Sequence, residues 1–347
     1  MTGTGTDEAL ARVLDDGRRR ASAIDAHHAL LWEALCAATE GGKRFRPALV
    51  VATHDALGGE CHDAAVEVGA AVELLHTALV IHDDVIDDDH VRRGRPNVSG
   101  TFRALAGVDG ATSDVAAGYG LTAAILAGDL ALAAAVRTVA LSGAPAPVVG
   151  RLLDLFDGAL HRTASGELAD VRLALGLAPA TLAQSLEMEA QKTSAYSFSL
   201  PLQAGAVLAG ADAATTARLD DAGRALGIAF QLVDDLIGVF GDPARSGKSS
   251  TGDLRTRKQT PLLVHARTTP QWKQVSGYVG HDLTDAELDE ARALLVESGS
   301  RRFVADLAER HLAQARTVLD GLGIPGDLLD GVTVMPPVLI DDSEVAA

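Results

Sequence analysis

Apolar residues recur at three- and four-residue spacing along most of the chain, and alternating β-branched runs are nearly absent. That pattern is the mark of helices, not strands. It predicts helices at roughly 7–38, 47–57, 63–92, 116–141, 147–175, 181–210, 213–239, 284–298 and 302–322. Gly, Pro, Ser and Asp gather at the breaks: Gly41-Gly42, 107–114, 142–147 and 241–253, with a further break around 268–281. No linker is long enough to divide the series, so the expectation is one all-α domain over 1–335 and a flexible tail over 336–347.

Two of the predicted helices carry acidic clusters near their ends, HDDVIDDDHVRRGRP at 82–96 and QLVDDLIGVFGDP at 231–243. In the first, Asp83 and Asp87 stand one turn apart on one helix face, with Asp84 beside them. Like charges at this spacing repel, and more strongly where the helix is buried, so a cation between the carboxylates makes sense of them. Oxygen-only ligands favour a hard ion such as Mg²⁺. A solvated acidic turn has similar letters, yet the apolar run AAVELLHTALVIH leading into the cluster ought to be buried. The two clusters therefore read as two halves of one metal site.

The formal charge of -17 leaves no basic surplus for nucleic-acid backbone binding as a main role. Only Cys36 and Cys61 are present, too few for a disulfide framework, and both are expected to be free thiols in a reducing cytoplasm. The first twenty residues lack the apolar core of a secretion signal, and the most apolar stretch, 121–141, is broken by Asp129 and Arg137. A soluble cytoplasmic protein without stable membrane insertion is the expectation.

Basic residues gather at GGKRFRP (41–47), where two glycines free the backbone before Lys43, Arg44 and Arg46, and Pro47 is placed to open a helix. Such a cluster suits a diphosphate, although a solvated basic loop has the same composition. Arg92 and Arg93 follow the first acidic cluster; His76 precedes Asp83 by two turns on its face. Lys192 and Thr193 precede a small-residue run, and Lys248 and Lys258 lie in polar segments. Singly, each is an ordinary surface or packed residue. Together, a divalent-ion cluster flanked by lysines stabilises departure of a diphosphate, and a second basic pocket implies a second diphosphate. Two such sites over an apolar helical cavity point to head-to-tail joining of isoprenoid units. Heterolysis would leave an allylic cation, the homoallylic partner's double bond would attack it, and a proton would pass to the released diphosphate.

In order, GGKRFRP, ELLHTALVIHDDVIDDDHVRRGRPN, AGD at 127–129, KT at 192, FQLVDDLIGVFGD and GKSSTGDLRTRKQT resemble motifs of the trans-isoprenyl diphosphate synthase, or polyprenyl synthetase, family. The resemblance runs from about residue 30 to 322 and is most like bacterial geranylgeranyl diphosphate synthases. It implies the isoprenoid synthase fold, a single large bundle of long helices around a central apolar cavity, normally a homodimer. Matching positions assign Lys43, Arg46, His76 and Arg93 to isopentenyl diphosphate. Arg92, Lys192, Thr193, Gln231, Lys248 and Lys258 fall to the allylic diphosphate, whether dimethylallyl, geranyl or farnesyl. Mg²⁺, three ions with diphosphate bound, would sit on Asp83, Asp87 and Asp234, supported by Asp84 and Asp235. Catalysis would rest on Asp83, Asp87, Asp234, Lys192 and Lys248.

One departure is Gly238, which stands where many members have a third aspartate; Asp234 and Asp235 remain, and Asp242 lies two turns on from Asp234. For product length, family members that stop at fifteen carbons carry aromatics four or five residues before the first motif. Here Ala78 and Leu79 stand there, with Leu75 and Val72 deeper along the expected cavity wall. Twenty carbons, geranylgeranyl diphosphate, is the expected product, with a different chain length as the alternative. A class I terpene cyclase would leave GGKRFRP unexplained. A non-catalytic partner subunit should have lost the motif aspartates, which this chain keeps.

Overall fold

The computed structural model describes residues 5–241 and 252–326, and among these the regular structure is helical except for one antiparallel hairpin of two-residue strands, β1 (Val91–Arg92) and β2 (Arg95–Pro96). The all-α expectation holds. The tail expected at 336–347 lies outside the described residues. The chain forms two compact units, the first from Met1–Phe156 with Gln203–Asp212 and the second from Asp157–Leu202 with Ala213–Ala347.

The first unit holds α1 (Thr6–Ser22), α2 (Ala26–Thr39), α3 (Phe45–Ala56), α4 (His62–Ile86), α5 (Val98–Val108), α6 (Ser113–Ala140) and the first turns of α7 (Ala146–Ala174). The helix expected over 7–38 is two, because Asp25 adopts extended backbone and caps α2, its carboxylate accepting from the His28 N–H at 2.7 Å. α4 is the central rod, packed along α6 and flanked by α3 and α1. Small residues allow this approach: Ala70, Ala71 and Ala78 on α4 and Ala124, Ala127, Ala131 and Ala135 on α6 are all buried. Gly128 carries the point furthest, since a Cβ there would lie 2.2 Å from His82 Nε2. Both rods are long and apolar enough to cross a membrane, but the most apolar window of α4 is 72% buried against 39% for α6.

The second unit takes the remainder of α7 and contains α8 (Leu182–Glu189), a π-helix (Ala190–Ser199), α10 (Ala213–Phe240), α11 (Gly252–Arg255), α12 (Pro261–Ala266), α13 (Trp272–Val275), α14 (Asp285–Glu297) and α15 (Ser300–Asp320). Between the π-helix and α10, α9 (Leu200–Leu208) leads back into the first unit's sequence. Here α10 is the central rod, against α15 and the π-helix. Its Gly223 and Gly227 admit Ser199 and Ser194: added Cβ atoms would meet these residues at 2.5 and 2.1 Å. Leu232, Leu236, Leu254, Leu262 and Leu295 form the apolar centre.

Candidate active site

The first acidic cluster sits where α4 stops. Asp88 takes left-handed backbone (φ 56°), the Asp89 N–H bonds to Asp84 C=O at 2.8 Å and the Asp88 N–H to Val85 C=O at 3.4 Å. This is a Schellman ending with aspartate in glycine's usual place. It ends the expected 63–92 helix early and leaves Asp83 on the last turn and Asp87 at the cap, exposed. Carboxylates at a helix C-terminus face the negative end of its dipole, which raises their demand for a cation. Asp84 is engaged differently. It is buried, accepts from Arg92 Nε at 2.7 Å, and is pushed up by burial, with the Arg92 guanidinium pulling against that. Arg92 also reaches Asp83 at 3.5 Å.

The hairpin after this helix end turns through Arg93 and Gly94, both at positive φ (54° and 73°), the backbone of a two-residue primed turn. The turn lays the Arg93 guanidinium over Gly41-Gly42, where added Cβ atoms would come within 3.1 and 3.3 Å of it, and it donates to Glu40 C=O. Arg46 is buried, stacked 4.3 Å over the Phe45 ring. His76 is half-buried. Burial first, and then the charges of Arg46, Arg93, Arg92 and Arg44, hold it well below the ordinary imidazole value. The structure thus gathers Arg46, His76 and Arg93 around one electropositive spot. Arg44 serves the scaffold instead, binding Glu73 at 2.5 Å, Asp7 at 3.1 Å and Thr39 C=O at 2.8 Å and so tying α3 to α1, α2 and α4.

Along α4 the face of Asp83 continues through Leu79, Val80 and His76, all half-buried, and closes at Val72, which is 0% exposed. Of the four residues expected to wall the apolar tail, only Leu79 has appreciable accessible surface. Ala78 and Leu75 are also 0% exposed, because their spacing carries them round toward the packed side of the helix.

In the second unit the π-helix presents Lys192 and Thr193. Lys192 Nζ is held by Asp170 at 2.8 Å and Glu167 at 3.0 Å, both from α7, and Gly166 packs so closely that an added Cβ would lie 2.2 Å from the Lys192 backbone nitrogen. Thr193 Oγ1 donates to Gln231 Oε1 at 3.1 Å, and Gln231 Nε2 donates to Asp235 Oδ1 at 2.9 Å. One amide thus joins the KT pair to the second acidic motif. Asp234 is half-buried and shares a face with Gln231 and Gly238. Asp235 is buried and pushed up to about 7, first by burial and then by the charge of Asp253. Lys258 donates its backbone N–H to Asp253 C=O at 3.1 Å. Lys248 and Asp242 lie outside the described residues.

Sequence reasoning missed Glu189. It is buried on the last turn of α8 with its carboxyl against that of Asp235, and burial, then the Asp235 charge, raises it well above the usual carboxylate range. The two carboxyls share a hydrogen bond, and neither Glu189 Oε2 nor Asp235 Oδ2 has another partner among the described residues. A lone Glu in LEMEAQKT gives no hint of this, nor do Glu167 and Asp170 announce themselves as Lys192's partners. The carboxylates at each motif are oxygen-only donors, of the kind that suits a hard divalent cation.

The polyprenyl synthetase family profile matches residues 28–295. The chain is 32% identical over 295 residues to a geranylgeranyl diphosphate synthase of Sulfolobus acidocaldarius, covering 84% of this chain and 83% of that one. It is 34% identical over 317 residues to a geranylgeranyl diphosphate synthase of Mycobacterium tuberculosis, covering 89% and 84% respectively. Its fold is similar to that of geranylgeranyl pyrophosphate synthase from Corynebacterium glutamicum complexed with isoprenyl diphosphate and magnesium, with a TM-score of 0.85, 27% identity and 97% of each chain covered. The chain is a member of the polyprenyl synthetase family, a prenyltransferase that elongates prenyl diphosphates.

Proposed function

We propose that the protein condenses isopentenyl diphosphate with allylic diphosphates in a Mg²⁺-dependent reaction and releases geranylgeranyl diphosphate. The observation that carries the product length is the accessible strip on α4: between His76 and Asp83 it presents half-buried Leu79 and Val80 and no Phe, Tyr or Trp, so a growing tail passes the fifteen-carbon position. Relatives named geranylgeranyl diphosphate synthases support the same length.

Asp83, Asp87 and Asp234 are the residues that would hold Mg²⁺, with Asp84 and Asp235 behind them. The bound ions supply positive charge to the departing diphosphate. Lys192, oriented by Asp170 and Glu167, binds the allylic diphosphate with Arg92, Thr193, Gln231, Lys248 and Lys258. Lys43, Arg46 and Arg93 grip isopentenyl diphosphate, and the neutral His76 donates from one ring nitrogen. The proton lost after carbon–carbon bond formation goes to the released diphosphate.

The working form is a homodimer in the cytoplasm. Supporting the dimer, α6 leaves Val115, Tyr119, Ile125 and Leu126 exposed, an apolar face of the kind that a second copy of the chain would cover. Cys36 and Cys61 are both unpaired, in keeping with a reducing compartment.

The test incubates purified protein with isopentenyl diphosphate and, separately, dimethylallyl, geranyl and farnesyl diphosphates, in Mg²⁺ or in EDTA. Turnover in Mg²⁺ and none in EDTA is expected. Equal turnover in EDTA, or none with any starter, would overturn the proposal.

A further inference from the structure

Where α3 ends and α4 begins, three side chains that the diphosphate chemistry does not use come together. His54 stands on the last turn of α3, Asp55 follows it, and His62 opens α4. From His62 to Asp83 the helix runs about 30 Å at its ordinary rise, so this group is remote from the first acidic motif.

Their donor atoms converge. His54 Nδ1 lies 2.8 Å and His62 Nδ1 3.2 Å from one oxygen, Asp55 Oδ1, and one donor atom from each of the three residues falls within 4.8 Å of the others. Ligands set tetrahedrally around Zn²⁺, each at about 2.0–2.1 Å from the ion, stand about 3.3 Å apart. Both imidazole–carboxylate separations are already close to that length. Asp55 and His62 are exposed, which leaves an approach from solvent and a fourth position for water.

The fold fixes the buried member of the group. His54 is 0% exposed, and its ring lies against Gly59, where an added Cβ would come 2.2 Å from Nε2. Gly58 supplies left-handed backbone (φ 73°), and the Gly59 N–H closes the turn on the His54 carbonyl at 2.9 Å. Nδ1 is thereby held toward Asp55, while Nε2 has no hydrogen-bond partner among the described residues. A ring buried and half-satisfied costs stability. A metal bond at Nδ1 offsets that cost more fully than one hydrogen bond to an exposed carboxylate.

We propose that His54, Asp55 and His62 form a Zn²⁺ site, separate from the diphosphate machinery, that ties the end of α3 to the start of α4. Two imidazoles with one carboxylate suit this ion, whereas the all-carboxylate motifs suit Mg²⁺. Bound there, it braces the two helices that carry Arg46 and His76.

The experiment titrates Zn²⁺ calorimetrically into the full chain, stripped with EDTA and dialysed, and records melting temperatures with and without Zn²⁺. Binding of one Zn²⁺ that persists in Asp83→Ala combined with Asp234→Ala is expected, with a rise in melting temperature. That double variant removes carboxylates that could take Zn²⁺ in place of Mg²⁺. His62→Ala and Asp55→Asn alter exposed side chains, so the fold should survive; each should weaken this binding at least about tenfold and abolish the Zn²⁺-dependent rise. No saturable binding in the wild-type chain, binding unchanged in His62→Ala, or binding lost in the double aspartate variant would overturn the proposal.

Discussion

Arg93 holds a backbone conformation that a non-glycine residue adopts at a cost of about 1–2 kcal/mol, and it does so beside Gly94, which adopts it freely. Strain of this kind persists where a side chain is needed, and here the side chain covers Gly41-Gly42 beside His76 and Arg46. Arg93→Gly should accordingly raise the melting temperature by a few degrees and raise the KM for isopentenyl diphosphate at least tenfold. A variant with unchanged KM would remove Arg93 from that diphosphate's site. His76 gives a pH prediction. Its folded pKa lies well below the ordinary 6.5, so the unfolded chain binds its proton first as pH falls. The His76 contribution to stability is full above about pH 6.5 and declines as pH drops through and below that value. In melting temperatures recorded from pH 8 to 5, His76→Gln should show the shallower decline; an equal slope would mean that His76 is not held neutral.

At the scale of elements, the long rods were legible because their apolar spacing is sustained over many turns, as in α4, α6 and α10. Short-range chemistry that overrides periodicity was not. The Asp25 cap that divides α1 from α2 lies inside an apolar pattern that continues past it, whereas the left-handed Asp88 that ends α4 and the hairpin at 91–96 lie in the polar run DDDHVRRGRP, where periodicity carries no signal. The π-helix carrying Lys192 and Thr193 leaves no mark in composition, nor does the close packing of Gly166, Gly223 and Gly227 against it. The motif aspartates and lysines could be named from spacing and resemblance, whereas Glu189, Glu167, Asp170 and Asp253 enter only through contacts across elements distant in sequence. The α4 strip yields a paired prediction. Leu79→Phe should make a shorter diphosphate the main product, because the ring fills the accessible part of the strip, and Val72→Ala should lengthen the product by opening its closed end. Chromatographic sizing of products decides it, and an unchanged distribution in both variants would place the tail elsewhere.

For the whole molecule, the exposed apolar residues of α6 are a feature that the single chain leaves unexplained. If a second copy covers them, Leu126→Asp should halve the mass measured by light scattering and lower the melting temperature; a monomeric wild-type chain would contradict the dimer. The net charge of -17 sets a background against which the basic groups around His76 are local exceptions, positioned for anionic substrates by the fold. We propose that these groups and two carboxylate motifs join isoprenoid units up to twenty carbons. The most direct test is the exact mass of the prenyl diphosphate that accumulates when the purified protein receives isopentenyl and dimethylallyl diphosphates with Mg²⁺. A twenty-carbon diphosphate as the main product is predicted. A product that stops at fifteen carbons, one that runs well beyond twenty, or no condensation at all would contradict it.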